Sequence, residues 1–334
     1  QFKATHHGFC PGPEEYDLYD DVHIPEPDNL FDDFSYRGTA IREQTLTLYK
    51  NLSHGILVGD PGELGKLNPK QRKAWNAYRS KFSKPFQAMN LNWNDQNREL
   101  SRFKYQALLK NFLAAGAGID KNVGRIRAFL QENDLADNTI VIYMADHGFF
   151  LGEHGFFDKR FMYEESFRTA FIVHWPGQVE AGVVNDQDIV SNIDIASTFL
   201  DIAGIEIPQE IQGKSMVPVL QGKTPDNWRK TFLYTYHELA NHNVQPHFGV
   251  TDGRNKLIYY PKYNEWEFFD LKKDPQEMIS QYFIPENKTV ITKLKKELVR
   301  LRNQYYCPPI ITLRNMNKKA SWDYEKRLMP LGVK

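Results

Sequence analysis

What these 334 residues lack narrows the function before any motif is read. There is no charge imbalance: Lys and Arg number 42, Asp and Glu 42, and the formal net charge is zero. Bulk charge therefore gives no nucleic-acid-binding or membrane surface, although a local basic pocket for an anion stays open. The two cysteines, Cys10 and Cys307, are too few for a disulfide framework or a thiolate zinc site. They read as unpaired or structural, with one disulfide as the alternative. No apolar run approaches the ~18 residues of a membrane span. Repeats and low-complexity tracts are missing too. The chain opens on Gln1 without a signal sequence, so Gln1 is not expected to start the gene product.

What is present suits a substantial core, with 41% hydrophobic and 13% aromatic residues. Residues 1–40 are turn-rich and acidic and read as a surface loop. Residues 68–84 carry a weak helical pattern. Apolar spacing then predicts one long helix, or two abutting ones, over 97–133. "TIVIYMA" and "FIVHWPG" read as buried strands of a sheet covered on both faces, with "YEESFRTA" a short helix between them. "NIDIASTFLDIAG" reads as a helix with Asp194 at its dipole-positive start and Gly204 as its C-cap. Strand-helix alternation predicts an α/β layer fold with a mainly parallel sheet. From about residue 230, four short aromatic strands predict a small antiparallel sheet, followed by an amphipathic helix in "TVITKLKKELVRLRNQYY". The expected division is 1–228 as an α/β body, 229–310 as a small β subdomain with a helix, and 311–334 as a polar tail.

The chemistry concentrates where "TIVIYMA" ends in Asp146-His147-Gly148. Open α/β sheets place chemistry at the C-terminal ends of strands. An aspartate there is a natural ligand for a hard divalent cation, and His147 a second ligand or an anion donor. Lys159 and Arg160 follow in the same glycine-rich stretch, and a lysine can hold a phosphate or sulfate oxygen and stabilise charge on a leaving oxygen. Each residue alone would pass as a turn device or a solvated side chain; the combination predicts a metal-and-anion site.

The run "ADHGFFLGEHGFFDKRFMYEESFRTAFIVHWPG" resembles the C-terminal half of the type I sulfatases of the alkaline-phosphatase-like superfamily. So do "DIVSNIDIASTFLDIAGIEIPQEIQGKSMVPVLQG", "NKLIYYPKYNEWEFFDLKKDPQEM" and the loop "FKATHHGFCPGPEEYDLYDDVHIPEP". The resemblance spans about residues 1–280. It implies an alkaline-phosphatase-like, mainly parallel sheet sandwiched by helices, with its N-terminal part outside this chain. It implies Asp146, and less firmly His147, as ligands of a divalent cation, usually calcium; Lys159 as the sulfate-binding and catalytic lysine; and His6 as the histidine that protonates the leaving oxygen, with His7 competing if the register slips. Thr5, Gly8, Ala170 and Ser197 depart from the pattern without removing a ligand.

A larger departure concerns the nucleophile. The family uses a Cys-x-Pro/Ala-Ser-x-Arg motif, oxidised to formylglycine, and an early Asp-Asp pair; neither cysteine here has those neighbours. The resemblance thus implies a nucleophile supplied by an N-terminal segment or companion chain, with these residues alone inactive. "HNVQPHFGVTDGRNKLI" matches His242, Val244, His247, Gly249 and Lys256 of a signature in sulfatases acting on 6-O-sulfated N-acetylglucosamine and glycosaminoglycans. That places His247 at a pocket rim, against the sugar. Trp93, Trp175 and Trp266 are further aromatic candidates.

The expectation is a sulfuric ester hydrolase of a sulfated glycan, located in a periplasm, a secreted fraction or a lysosome. Phosphate- or phosphonate-ester hydrolysis and a non-catalytic glycan-binding remnant are the alternatives. Asn51 and Asn287 head glycosylation sequons.

Overall fold

A computed structural model describes residues 2–6, 8–53, 55, 57, 65–237 and 244–307. The tail beyond them, His7 and His242 lie outside the described residues. Helices run over Pro69–Ala88 (α1), Arg98–Glu132 (α2), Glu164–Phe167 (α3), Asp194–Ile202 (α4), Val217–Leu220 (α5) and Lys288–Gln304 (α6). Strands run over Val141–Met144 (β1), Phe150–Leu151 (β2), Phe157–Asp158 (β3), Phe171–His174 (β4), Phe232–Tyr236 (β5), His247–Thr251 (β6), Asn255–Tyr260 (β7) and Glu265–Asp270 (β8). Two compact units emerge: Gln1–Asp32 with Thr45–Thr139 and Phe149–Lys159, and Asp33–Gln44 with Ile140–Gly148 and Arg160–Lys334. The division does not follow the expected boundary at 228/229, because the chain passes from one unit to the other several times.

In the first unit, α1 starts on a full capping box. Asn68 accepts from the Gln71 amide, Gln71 returns the bond to the Asn68 amide, and Pro69 occupies the first helical position. These signals make a helix of a segment whose apolar pattern is weak. The long helix α2 is continuous from its Asn97 cap and buries its first half, including Leu100, Tyr105 and Leu108. Tyr105 and Leu108 pack with Phe9, Leu30, Leu48, Leu52 and Phe157 into one apolar cluster. The loop expected to lie on the surface at residues 1–40 thus sends Phe9 and Leu30 into a core, each worth about 1.5–3 kcal/mol when fully buried. The hairpin β2–β3 turns through Gly152, His154 and Gly155, all with positive φ. A Cβ on Gly155 would come within 2.8 Å of the Leu30 carbonyl. His154 is buried there with its Nδ1 2.9 Å from Asp32.

In the second unit, β1 and β4 pair antiparallel, Val141 opposite His174 and Met144 opposite Phe171. The described strands all pair antiparallel, so the mainly parallel sheet is not formed among them. Parallel neighbours need a crossover long enough to return along the sheet, and residues 145–170 hold only the one-turn α3 in this unit. Nor are β1 and β4 covered on both faces among the described residues. Phe171 packs with Ile195, Leu220, Met216, Val219 and Trp228, but Ile172 is 62% exposed and Tyr143 45%. The helix α4 ends as expected, with Gly204 at φ 68° just past it.

The C-terminal sheet matches its reading. Strands β5-β6-β7-β8 form an antiparallel meander. Phe248, Leu257 and Phe268 on one face pack against Leu294, Leu298 and Leu301 of α6. Polar groups are buried here as well. Arg37 donates through Nε to Glu267 at 3.0 Å, with both side chains 1% exposed. Lys256 Nζ lies 2.9 Å from Glu277 and 2.8 Å from Glu164. Burial holds the Glu277 carboxyl above its ordinary range in spite of that lysine.

Candidate active site

Asp146 and His147 follow β1 directly, in the second unit. The Asp146 side chain is 84% exposed, and the backbone beneath it is pinned. Asn192 donates its side-chain amide to the Asp146 carbonyl at 3.2 Å. The Gly148 amide donates to the Ser166 carbonyl at 2.9 Å. Gly148 is required for that approach: a Cβ there would lie 2.2 Å from the Glu165 carbonyl oxygen and 2.3 Å from that of Arg168. The glycine therefore serves close backbone packing against α3. Asn192 was not singled out from the sequence, since it lies 46 residues from its partner and no spacing rule joins them.

His147 is turned toward its own loop. Its Nδ1 is 2.7 Å from the Gly148 carbonyl, and its Nε2 3.5 Å from Asp146 Oδ2. An exposed carboxylate with a neighbouring imidazole fits the outer part of a divalent-cation site. It is not a complete one, because calcium takes 6–8 oxygen ligands, and no group of three His, Cys, Asp or Glu able to hold a metal occurs among the described residues. Asp146 fits as a hard oxygen donor; His147, a nitrogen donor, fits calcium poorly.

Lys159 and His6 belong to the first unit. The Lys159 side chain is 16% exposed, with its Nζ 3.9 Å from Asp158 Oδ1. Both flanking residues are held at positive φ, Asp158 at 87° and Arg160 at 101°. Such backbone costs of order 1–3 kcal/mol per residue and gathers where the surroundings fix a functional side chain. His6 is exposed in a turn, its amide donating to the Lys3 carbonyl and its Nδ1 3.4 Å from Lys3 Nζ. The structure thus groups Asp146 with His147, and assigns Lys159 and His6 to the other unit.

His247, expected at a pocket rim, is fully buried on β6. Phe161, Tyr234, Tyr236 and Tyr260 surround its ring at 5.3 to 5.6 Å. Its Nδ1 is 2.8 Å from the Gln245 carbonyl. Burial pushes the imidazole down to about 4, so it is neutral. The sequence motif located the residue but could not show that four aromatic rings close over it.

Comparison with known proteins finds similar chains. Residues 56–205 match the sulfatase family, and residues 152–304 match the family described as N-sulphoglucosamine sulphohydrolase, C-terminal. The chain is 37% identical over 313 residues to an N-acetylglucosamine-6-O-sulfatase of Bacteroides thetaiotaomicron, covering 90% of this chain and 55% of that protein. It is 32% identical over 185 residues to an arylsulfatase of Clostridium perfringens, covering 54% of this chain and 37% of that protein. A solved structure in complex with its substrate, D-glucosamine-2-N,6-O-disulfate, superposes with a TM-score of 0.82 at 34% identity, covering 91% of this chain and 64% of that one. The chain thus spans about half the length of the curated relatives it matches. Its fold is that of the alkaline-phosphatase-like sulfatases. The chain belongs to the sulfatase family.

Proposed function

We propose that the whole protein hydrolyses sulfuric esters of a sulfated carbohydrate, with 6-O-sulfated N-acetylglucosamine or a glycosaminoglycan as substrate. The observation that carries this is the 37% identity to an N-acetylglucosamine-6-O-sulfatase across 90% of the chain. In this reading Asp146 would offer an oxygen donor to a calcium ion, with His147 beside it. That ion, when bound, supplies positive charge beside the sulfate. The nucleophile is a formylglycine outside these 334 residues, carried by an N-terminal segment or a companion chain, since neither Cys10 nor Cys307 has the required neighbours. Lys159 holds a sulfate oxygen and stabilises the charge that develops as the ester bond breaks. His6 passes a proton to the departing sugar oxygen. His247 shapes the aromatic face of β6 from within. No helix among the described residues is long and apolar enough to cross a membrane. The same reading puts the protein in a periplasm, a secreted fraction or a lysosome.

The test is sulfate release by the whole gene product from N-acetylglucosamine-6-sulfate, set beside 2-O-sulfated uronides and p-nitrophenyl phosphate. The proposal expects the 6-sulfate to be preferred. Preferential turnover of the phosphate ester would overturn it.

A further inference from the structure

The first unit contains a cleft of about 230 Å³ that the residues discussed so far do not line. Its walls are aromatic: Tyr16, Tyr19, Tyr78 and Phe82. Tyr16 stacks on Tyr78 with ring centroids 4.4 Å apart, and Phe82 meets Tyr78 edge-on at 5.5 Å. The Tyr78 hydroxyl is spent on Asn111, at 2.9 Å. The hydroxyls of Tyr16 and Tyr19 have no partner among the described residues. Lys110 donates to the Asp20 carbonyl at 3.0 Å and keeps two further donors.

The charge on this lining cancels. Lys81 and Lys110 face Glu15 and Asp20, and Lys81 is already taken up by Asp17, Asp20 and the Tyr16 carbonyl. An anion entering the cleft would meet two carboxylates, and a cation two ammonium groups. The ligand that suits it is uncharged, carries several hydroxyls and has an apolar ring face to lay on the aromatics. Clefts for drug-sized ligands run from about 300 Å³ upward, so this one admits a single ring.

We propose that the cleft of Tyr16, Tyr19, Tyr78, Phe82, Asp20 and Lys110 binds one neutral pyranose unit of a glycan. The ring face lies on the tyrosines, while Asp20, Lys110 and the two unpartnered phenols take the hydroxyls. This does not depend on sulfate hydrolysis; it gives the protein a second hold on a polymeric sugar.

Saturation-transfer NMR tests it on the whole protein in an Asp146→Asn background, so that binding is read without turnover and failure of the hydrolase reading leaves the result intact. N-acetylglucosamine and its β-linked dimer are the probes, with sodium acetate and tetramethylammonium as charged controls. Saturation should pass to the sugar ring protons. Affinity should fall about tenfold in Tyr19→Ala, the loss of one aromatic contact, and fall also in Lys110→Met, a change at a half-buried side chain that leaves the aromatic walls in place. Sugar binding that ignores both variants, no sugar binding, or binding of either charged probe in its place would overturn the proposal.

Discussion

Replacing Glu267 by Gln tests how the second unit is held together. Arg37 and Glu267 lie 230 positions apart and meet at 3.0 Å with both side chains out of water. Arg37 also donates to the Glu277 carbonyl, and its guanidinium sits 4.4 Å above the Tyr163 ring and 5.1 Å from that of Phe269. Glu267 in turn accepts from the Tyr163 hydroxyl at 2.5 Å and the Tyr260 hydroxyl at 3.3 Å. The carboxylate holds the guanidinium well above its usual range against the opposing effect of burial. Opposite charges about 4 Å apart attract by ~4 kcal/mol at an effective dielectric of about 20. Glu267→Gln keeps the shape and one acceptor but leaves the guanidinium buried beside a carbonyl and two rings. Removing one partner of such a pair costs about 3–5 kcal/mol, whereas replacing both with apolar groups is often near neutral. Urea unfolding followed by near-UV circular dichroism should show a loss of about 3 kcal/mol for Glu267→Gln. Arg37→Met/Glu267→Leu should lose less than the two single changes together, with a coupling of at least ~2 kcal/mol. A loss below about 1 kcal/mol, or a coupling near zero, refutes the reasoning, because that is the range of an exposed pair.

Further outcomes follow from single contacts. Gly148→Ala forces a Cβ into the Glu165 and Arg168 carbonyls and should lower stability by about 1–3 kcal/mol, read by thermal unfolding; an unchanged melting temperature would contradict the close packing. His247 gives a pH dependence of known sign. Its folded value is depressed from 6.5 to about 4, so the unfolded chain binds the proton first as pH falls. The contribution is present above pH 6.5 and lost between there and about pH 4, up to about 3 kcal/mol. His247→Phe should flatten the stability profile in that window relative to wild type, and parallel profiles would show that the imidazole is not buried neutral. Arg229 binds Asp194 through both terminal guanidinium nitrogens, with both side chains nearly closed to water. Arg229→Ala should therefore cost about 3–5 kcal/mol, and a smaller loss in chemical denaturation would place the pair in solvent.

The parts legible in the sequence are those set by local pattern. The helix α2 was expected over 97–133 and runs Arg98–Glu132, because thirty-odd residues of helical periodicity outweigh its glycines. The four C-terminal strands were legible because each is a short aromatic run bounded by turn signals. The pairing of β1 with β4 was not: an apolar run of four to seven residues does not tell a buried parallel strand from one with an open face. Asp194 was read as a helix-start charge, and the structure adds Arg229 and the Ser191 and Lys214 amides to it. Of the candidate site, Asp146-His147-Gly148 could be found because a strand end and a glycine turn leave a mark in sequence. Asn192, the Asp32–His154 pair and the burial of His247 arise from partners brought together by folding, and nothing at their own positions announces them.

The central claim is that Asp146 and Lys159 each contribute to sulfate-ester hydrolysis. It is tested most directly by the rate of sulfate release from N-acetylglucosamine-6-sulfate by the whole gene product, wild type beside Asp146→Ala and Lys159→Met. Sulfate should be released by wild type, with kcat/KM lower by about a hundredfold or more in each variant, the scale of losing one charge-stabilising group. Wild-type rates in both variants, with the fold intact by circular dichroism, would contradict the account.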